Sequence, residues 1–172
     1  MRGKVSTDGG FGLVELVIAM AMLAVALLAL VAAISSGIVT LQRSGSAATA
    51  GTLADKQMER YRAIKYTVIQ LDTTAVTTAN ADTVYTGEAG VWSGSQVTAA
   101  CTLTAWPDPC NPRQTVTGPD NHQYRVDTYI TYQTPAGGRQ LKLITVVVRD
   151  PQRLTGPALA KLQSRFDEAT GR

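Results

Sequence analysis

The chain has 172 residues, of which 45% are hydrophobic and 17% charged, and its formal net charge is +3. With a short basic start and one long apolar stretch set aside, the remainder fits one small domain. So slight a charge, with no block of one sign, excludes a charged interaction tail and gives no sign of a nucleic-acid surface.

Residues 1–10 carry Arg2, Lys4 and Asp8 and no apolar stretch of their own. Phe11 leads into Gly12, Leu13, Val14 and Glu15, and no further charge occurs before Arg43. Leu16 to Ile34 is almost wholly apolar, long enough as a helix to cross a bilayer core of about 30 Å. Positive charge ahead of such a segment favours keeping the start in the cytoplasm and exporting the rest of the chain. A carboxylate at its border carries a desolvation cost unless it reaches water or finds a partner. A secretory signal cleaved near Ala33-Ile34-Ser35 would have a shorter apolar region and no acidic border residue. A plain single-pass anchor accounts for the apolar run but gives Gly10-Phe11 no role.

Gly10, Phe11, Leu13 and Glu15, behind a basic leader and with the apolar run in register, resemble the amino terminus of type IV pilin-like proteins, pseudopilins included. The resemblance rests on residues 9–35, and the chain departs from the common pattern at Gly12 and Val14, where the family often has Thr and Ile. It implies a prepilin leader peptide at 1–10, removed between Gly10 and Phe11 by a prepilin peptidase that also methylates the new amino group of Phe11. Residues 11–35 become a transmembrane and assembly helix with Glu15 at the fifth mature position, where it serves assembly. The partners implied are other pilin-like subunits and a membrane assembly platform. The implied location is the inner membrane, then a pilus or pseudopilus. Neither catalysis nor a cofactor is implied.

Residues 36–72 are expected to continue the helix as an amphipathic stem. Gly37, Gly45 and Gly51 lower its propensity, each by about 1 kcal/mol relative to Ala. From Leu53 the pattern tightens: Ala54, Met58, Tyr61, Ile64, Val68 and Leu71 recur at steps of three and four and predict one apolar helix face. Thr73, Thr74, Thr77 and Thr78 then predict the end of the helix in a polar, β-branched segment.

Residues 73–172 form the exported, β-rich domain. Between 73 and 121 the sequence is rich in turn residues and predicts one or two short strands with an irregular loop around the cysteines. Trp92 and Trp106 read as packing residues. Cys101 and Cys110 are the only cysteines, and on the exported side they predict one disulfide closing a loop that bears Pro107 and Pro109. A zinc site would need about four ligands, and the sole histidine, His122, lacks a partner motif. A redox pair would sit closer together.

The clearest sheet signal lies in 123–149. Tyr124, Val126, Thr128, Ile130 and Tyr132 alternate with Arg125, Asp127, Tyr129 and Thr131, a turn comes next at Pro135-Ala136-Gly137-Gly138, and Leu141 to Arg149 forms the second strand of an antiparallel hairpin. Apolar residues on both faces of that strand predict a central place in the sheet. The ending Val146 to Pro151 looks like that of minor pilins and pseudopilins. After Gly156-Pro157, residues 158–168 predict a short helix bearing Leu159, Leu162 and Phe166, or a loosely attached tail. The fold class expected is α+β: a long amino-terminal helix packed against a carboxy-terminal antiparallel sheet.

Two functional alternatives stand beside the pilin-like one. A Ser/His/Asp hydrolase would have to use His122, which the sequence places in a turn beside Asp120 and Asn121. A Gly-x-Ser-x-Gly elbow, a His-Glu-x-x-His pair and a phosphate-binding glycine loop are missing from this region. A membrane-tethered binding domain that never polymerises fits the same export pattern.

Overall fold

The computed structural model describes residues 12–101, 103 and 108–168, and the chain divides into two compact units between Arg43 and Ser44. The expected leader cleavage position, Gly10 and Phe11, and Trp106 lie outside the described residues. Helix α1 covers Leu13–Arg62. Its first turn contains Glu15 and its last turn Arg60 and Arg62, each sign placed where it favours the helix dipole. The glycines at 37, 45 and 51 do not break it. Ser35, Thr40 and Thr52 donate their hydroxyls to carbonyls four residues back.

In the second unit a four-stranded antiparallel sheet runs in the order β3 (Arg113–Thr117), β4 (Gln123–Gln133), β5 (Leu141–Arg149), β6 (Ala160–Phe166). α1 packs on one face of it. Ala50, Leu53, Ala54, Met58 and Tyr61 meet Val126, Ile130, Ile144, Val146 and Val148 in the main core. The expected hairpin is β4 and β5, with Thr128 opposite Val146 and Ile130 opposite Ile144. Its turn uses Gly137 at φ +73°, a conformation open to glycine at no steric cost. β5 is central, as its two apolar faces require, paired to β4 on one side and β6 on the other.

Three expectations are corrected. The apolar stripe does not stay helical to Leu71: α1 ends at Arg62, a 3-10 turn occupies Tyr66–Val68, and Leu71–Asp72 is strand β1, paired in parallel with β2 (Thr98–Ala99). Beyond the helix, Ile69 and Leu71 are the buried residues, so the period has switched from helix to strand. Lys142, itself buried, holds this connector by donating to the Tyr66 and Ile69 carbonyls at 2.8 Å, with the Tyr66 ring 4.6 Å from its ammonium. Second, the threonine-rich segment is helix α2 (Thr73–Ala79), started by Asp72, whose carboxylate accepts from the Ala75 amide at 2.9 Å. Third, the tail is neither helix nor loose. β6 fills the open edge of β5 from Ala160–Val148 to Phe166–Lys142, with Leu162 and Phe166 packed on the core.

The β3–β4 turn comes close to α1. A Cβ at Gly118 would lie 2.6 Å from Asp120 Oδ1 and 2.8 Å from side-chain carbons of Thr49 and Tyr124, so only glycine fits without displacement. His122 is exposed in this turn, and Asn121 takes φ 60°.

Candidate functional site

The first unit offers one feature with chemical consequence. From Leu13 onward its helix exposes Leu16, Val17, Ile18, Met20, Leu23, Leu27 and Leu30, each at least half accessible. Glu15 is exposed in the first turn of α1 and carries the only charge among the described residues before Arg43. This helix is long and apolar enough to cross a membrane and is compatible with a single-pass anchor.

In the second unit the cysteine pair is bridged as expected: Cys101 and Cys110 form a disulfide with Cα atoms 5.7 Å apart. The loop it closes is tied to α1. Tyr61 Oη donates to the Pro109 carbonyl at 2.7 Å, and Gln57 Nε2 donates to the Asp108 carbonyl at 3.3 Å. Gln114 on β3 completes the group, donating to Gln57 Oε1 at 3.2 Å and accepting from the Asp108 amide. Burial pushes the Tyr61 phenol well above its ordinary range, so it remains a donor at neutral pH. Replacing both cysteines by Ala is expected to lower domain stability by about 2–4 kcal/mol, read by thermal unfolding under non-reducing conditions.

The sheet face away from α1 holds a charge network. Helix α3 (Thr83–Thr86) lies over it, and Asp82 caps that helix by accepting from the Val84 and Tyr85 amides. Asp82 and Glu88 are the only charged residues between Thr73 and Val97, and both reach down to sheet cations. Asp82 pairs with Arg113 of β3 at 2.6 Å and Arg125 of β4 at 2.8 Å. Glu88 pairs with Arg149 of β5 and with Lys161 of β6, the latter at 2.9 Å. Between them Asp127, fully buried, accepts from Arg125 Nε at 2.8 Å and from Arg149 Nη1 at 3.2 Å. Arg125 and Arg149 are direct cross-strand partners, an arrangement that repels unless an anion lies between them.

Apolar contact reinforces the network. Tyr85 of α3 stacks on Tyr129 of β4, ring centroids 4.4 Å apart, and each hydroxyl donates to a carbonyl on the other's element. Burial pushes the Asp127 carboxyl up to about 6, against the pull of Arg125. For Asp82 burial acts the same way, but the Val84 amide, Arg113 and Arg125 outweigh it and hold the carboxyl below its usual value.

A buried, perturbed carboxylate resembles a catalytic one. Here every neighbour of Asp127 is a strand or cap residue that seals it, which suits a structural clasp. Sequence reading missed the network. The signal was present in Arg125, Asp127 and Arg149, charges on one face of strands otherwise apolar enough to be central. Asp82 and Glu88 could be assigned to them only once the chain had folded back. His122 lies apart from it, and its exposed turn neighbour Asp120 is engaged by Tyr124 Oη at 2.5 Å.

The fold and these features define an α+β protein whose long amino-terminal helix is membrane-competent in its first part and core-forming in its last. Comparison with models of protein families, with curated proteins and with solved structures finds no match.

Proposed function

We propose that this chain is a structural or initiating subunit, of the minor pilin or pseudopilin kind, of a type IV pilus-like filament assembled through its amino-terminal helix. One observation carries the reading: a single carboxylate, Glu15, heads a helix whose apolar side chains stay uncovered as far as Leu41. Such a helix can leave the bilayer only for another apolar environment, and a bundle of like helices supplies one. Glu15 loses water in that bundle and needs a cation or hydrogen-bond donor. The amino group of Phe11 on a neighbouring subunit, freed by leader removal, is the partner. Cleavage therefore also strips Arg2 and Lys4, whose charges would resist extraction. The disulfide and the clasped sheet fit a domain that endures outside the cell.

Mass spectrometry of the amino-terminal peptide tests this. A mature chain beginning at N-methylated Phe11 is expected, together with loss of cleavage when Gly10 is replaced by a bulky residue. A start at Met1 or Ser36 would overturn the reading, leaving a simple tether or a conventional secretory signal.

A further inference from the structure

Residues 80–95 cross the sheet face away from α1, and both ends of the segment are anchored elsewhere. Val76 of α2 and Val97 belong to the main core. Val97 donates its amide to the Ile130 carbonyl at 2.7 Å, and Gln96 Oε1 accepts from the Ile130 amide at 2.9 Å. Beside them β1 pairs with β2, so the two ends stay together whatever lies between them. Asn80 closes the base of the segment by accepting from Trp92 Nε1 at 3.3 Å. Its backbone bonds turn inward: the Thr86 and Gly87 amides donate to the Asp82 and Thr83 carbonyls, and the Val91 and Trp92 amides to that of Glu88. A loop with neighbouring ends and its own internal bonds can open locally while the rest stays folded.

Little apolar surface holds it down. Ala79, Tyr85 and Val91 meet Tyr129 and Val147 in a cluster apart from the main core. The rest of the hold is the Tyr85–Tyr129 stack, its two hydroxyl bonds, and the ion pairs of Asp82 and Glu88. Beneath lie Arg113, Arg125, Arg149 and Lys161 with Asp127, four cations against one carboxylate around Tyr129. Even with the segment in place these cations are not saturated, because Arg125 Nη2 is buried without a hydrogen-bond partner. Once uncovered, the face attracts an anion. Its present occupant defines the chemistry that fits: a peptide with an aromatic ring midway between two carboxylates, Asp82, Tyr85 and Glu88 at steps of three. The Tyr85 carbonyl adds a backbone contact by accepting from Tyr129 Oη at 2.9 Å.

We infer that residues 80–95 form a strap that opens as a unit and competes with an outside ligand for the sheet face beneath it, the ligand being an acidic peptide segment with an aromatic ring between its carboxylates. The site is separate from the amino-terminal helix and does not depend on assembly. Apparent affinity for the ligand falls in proportion to the fraction of molecules whose strap is closed over the face, so loosening the strap tightens binding.

The experiment uses the full chain in detergent micelles and, as probe, a fluorescent synthetic peptide of residues 80–92. Asp82→Asn with Glu88→Gln removes both carboxylates from the strap, and Asn still caps α3. That variant is expected to bind the probe at least about tenfold more tightly than the parent by anisotropy, and the milder Glu88→Gln alone to an intermediate extent. A probe carrying the same two changes should bind at least about tenfold more weakly. Amide exchange in the parent is expected to be at least about tenfold faster over residues 82–92 than over β4 and β5, with strand protection unchanged in the variants. Exchange of the strap in step with the strands would overturn the inference, as would equal binding by parent and both variants or equal binding of the neutral probe. Preference of the loosened chain for a single-stranded oligonucleotide over the peptide would overturn the choice of ligand.

Discussion

Under the proposed assembly, Glu15→Ala and Glu15→Gln proteins are expected to be exported and cleaved like the parent chain, yet to fall at least about tenfold in filaments, and Glu15→Lys protein to be absent from them. The carboxylate sits exposed at the head of a helix otherwise free of charge as far as Gln42, so a monomer in the membrane can keep it at the water boundary. Inside a bundle it must pair. The attraction need not exceed the cost of desolvation. Its effect is on register: among the many ways apolar helices can slide past each other, few place a carboxylate beside an amine. Glu15→Lys replaces that attraction with two adjacent cations. Quantitative blotting of sheared filaments against whole cells reads the result, and parent-level incorporation of the Glu15→Ala protein would remove Glu15 from assembly.

Arg149→Leu is expected to cost the carboxy-terminal domain about 3 kcal/mol at pH 7, the scale typical of breaking a buried ion pair. The side chain joins Glu88 to Asp127, so its loss uncouples the α3 cap from the centre of the sheet. The penalty should shrink toward pH 5, because Asp127 can then take up a proton and no longer needs a second cation. Parent stability is also pH-dependent in a defined direction. Burial raises the Asp127 carboxyl to about 6 from an unfolded value near 3.9. The folded state therefore binds more protons across that interval, and this group favours folding increasingly as pH falls through 6, by on the order of 3 kcal/mol in full. Asp82 acts oppositely. Its carboxyl is held below its ordinary value, so its contribution is present above about pH 4 and lost below. Urea unfolding from pH 7.5 to 3 should thus show greatest stability between about pH 4 and 5. Asp127→Asn should flatten the rise between pH 7 and 5 while leaving the acid limb. A parent profile falling steadily from pH 7 to 5 would contradict the assignment.

The carboxy-terminal domain illustrates which local patterns survive folding. Alternation from Tyr124 to Ile130 and from Leu141 to Arg149 is legible because a strand buried on one face or both must repeat every two residues wherever it lies. The bridge between Cys101 and Cys110 is legible for a related reason: with two cysteines in the chain there is one possible pairing. The apolar run behind Glu15 needs no tertiary information, since length and lack of charge alone make it able to cross a bilayer.

Elsewhere local pattern was outweighed. Leu159, Leu162 and Phe166 satisfy helical spacing, but the segment also alternates, and the free edge of β5 offered its backbone a full ladder of hydrogen bonds. Val68 and Leu71 continue the stripe of α1 by spacing alone, yet Lys142, distant in sequence, captures the carbonyls of Tyr66 and Ile69 and turns the chain into β1.

The residues themselves thus determined that this protein has a membrane-competent helix headed by one carboxylate, a late antiparallel hairpin and one disulfide. Each depends on spacing within a short window or on a count that permits a single answer. Only the tertiary structure decided where the helix stops, which strand closes the sheet, and that Asp82 and Glu88 clasp cations drawn from four different strands. Those outcomes depend on partners far apart in the chain, whose meeting is set by the packing of the whole sheet and is not encoded in any one segment.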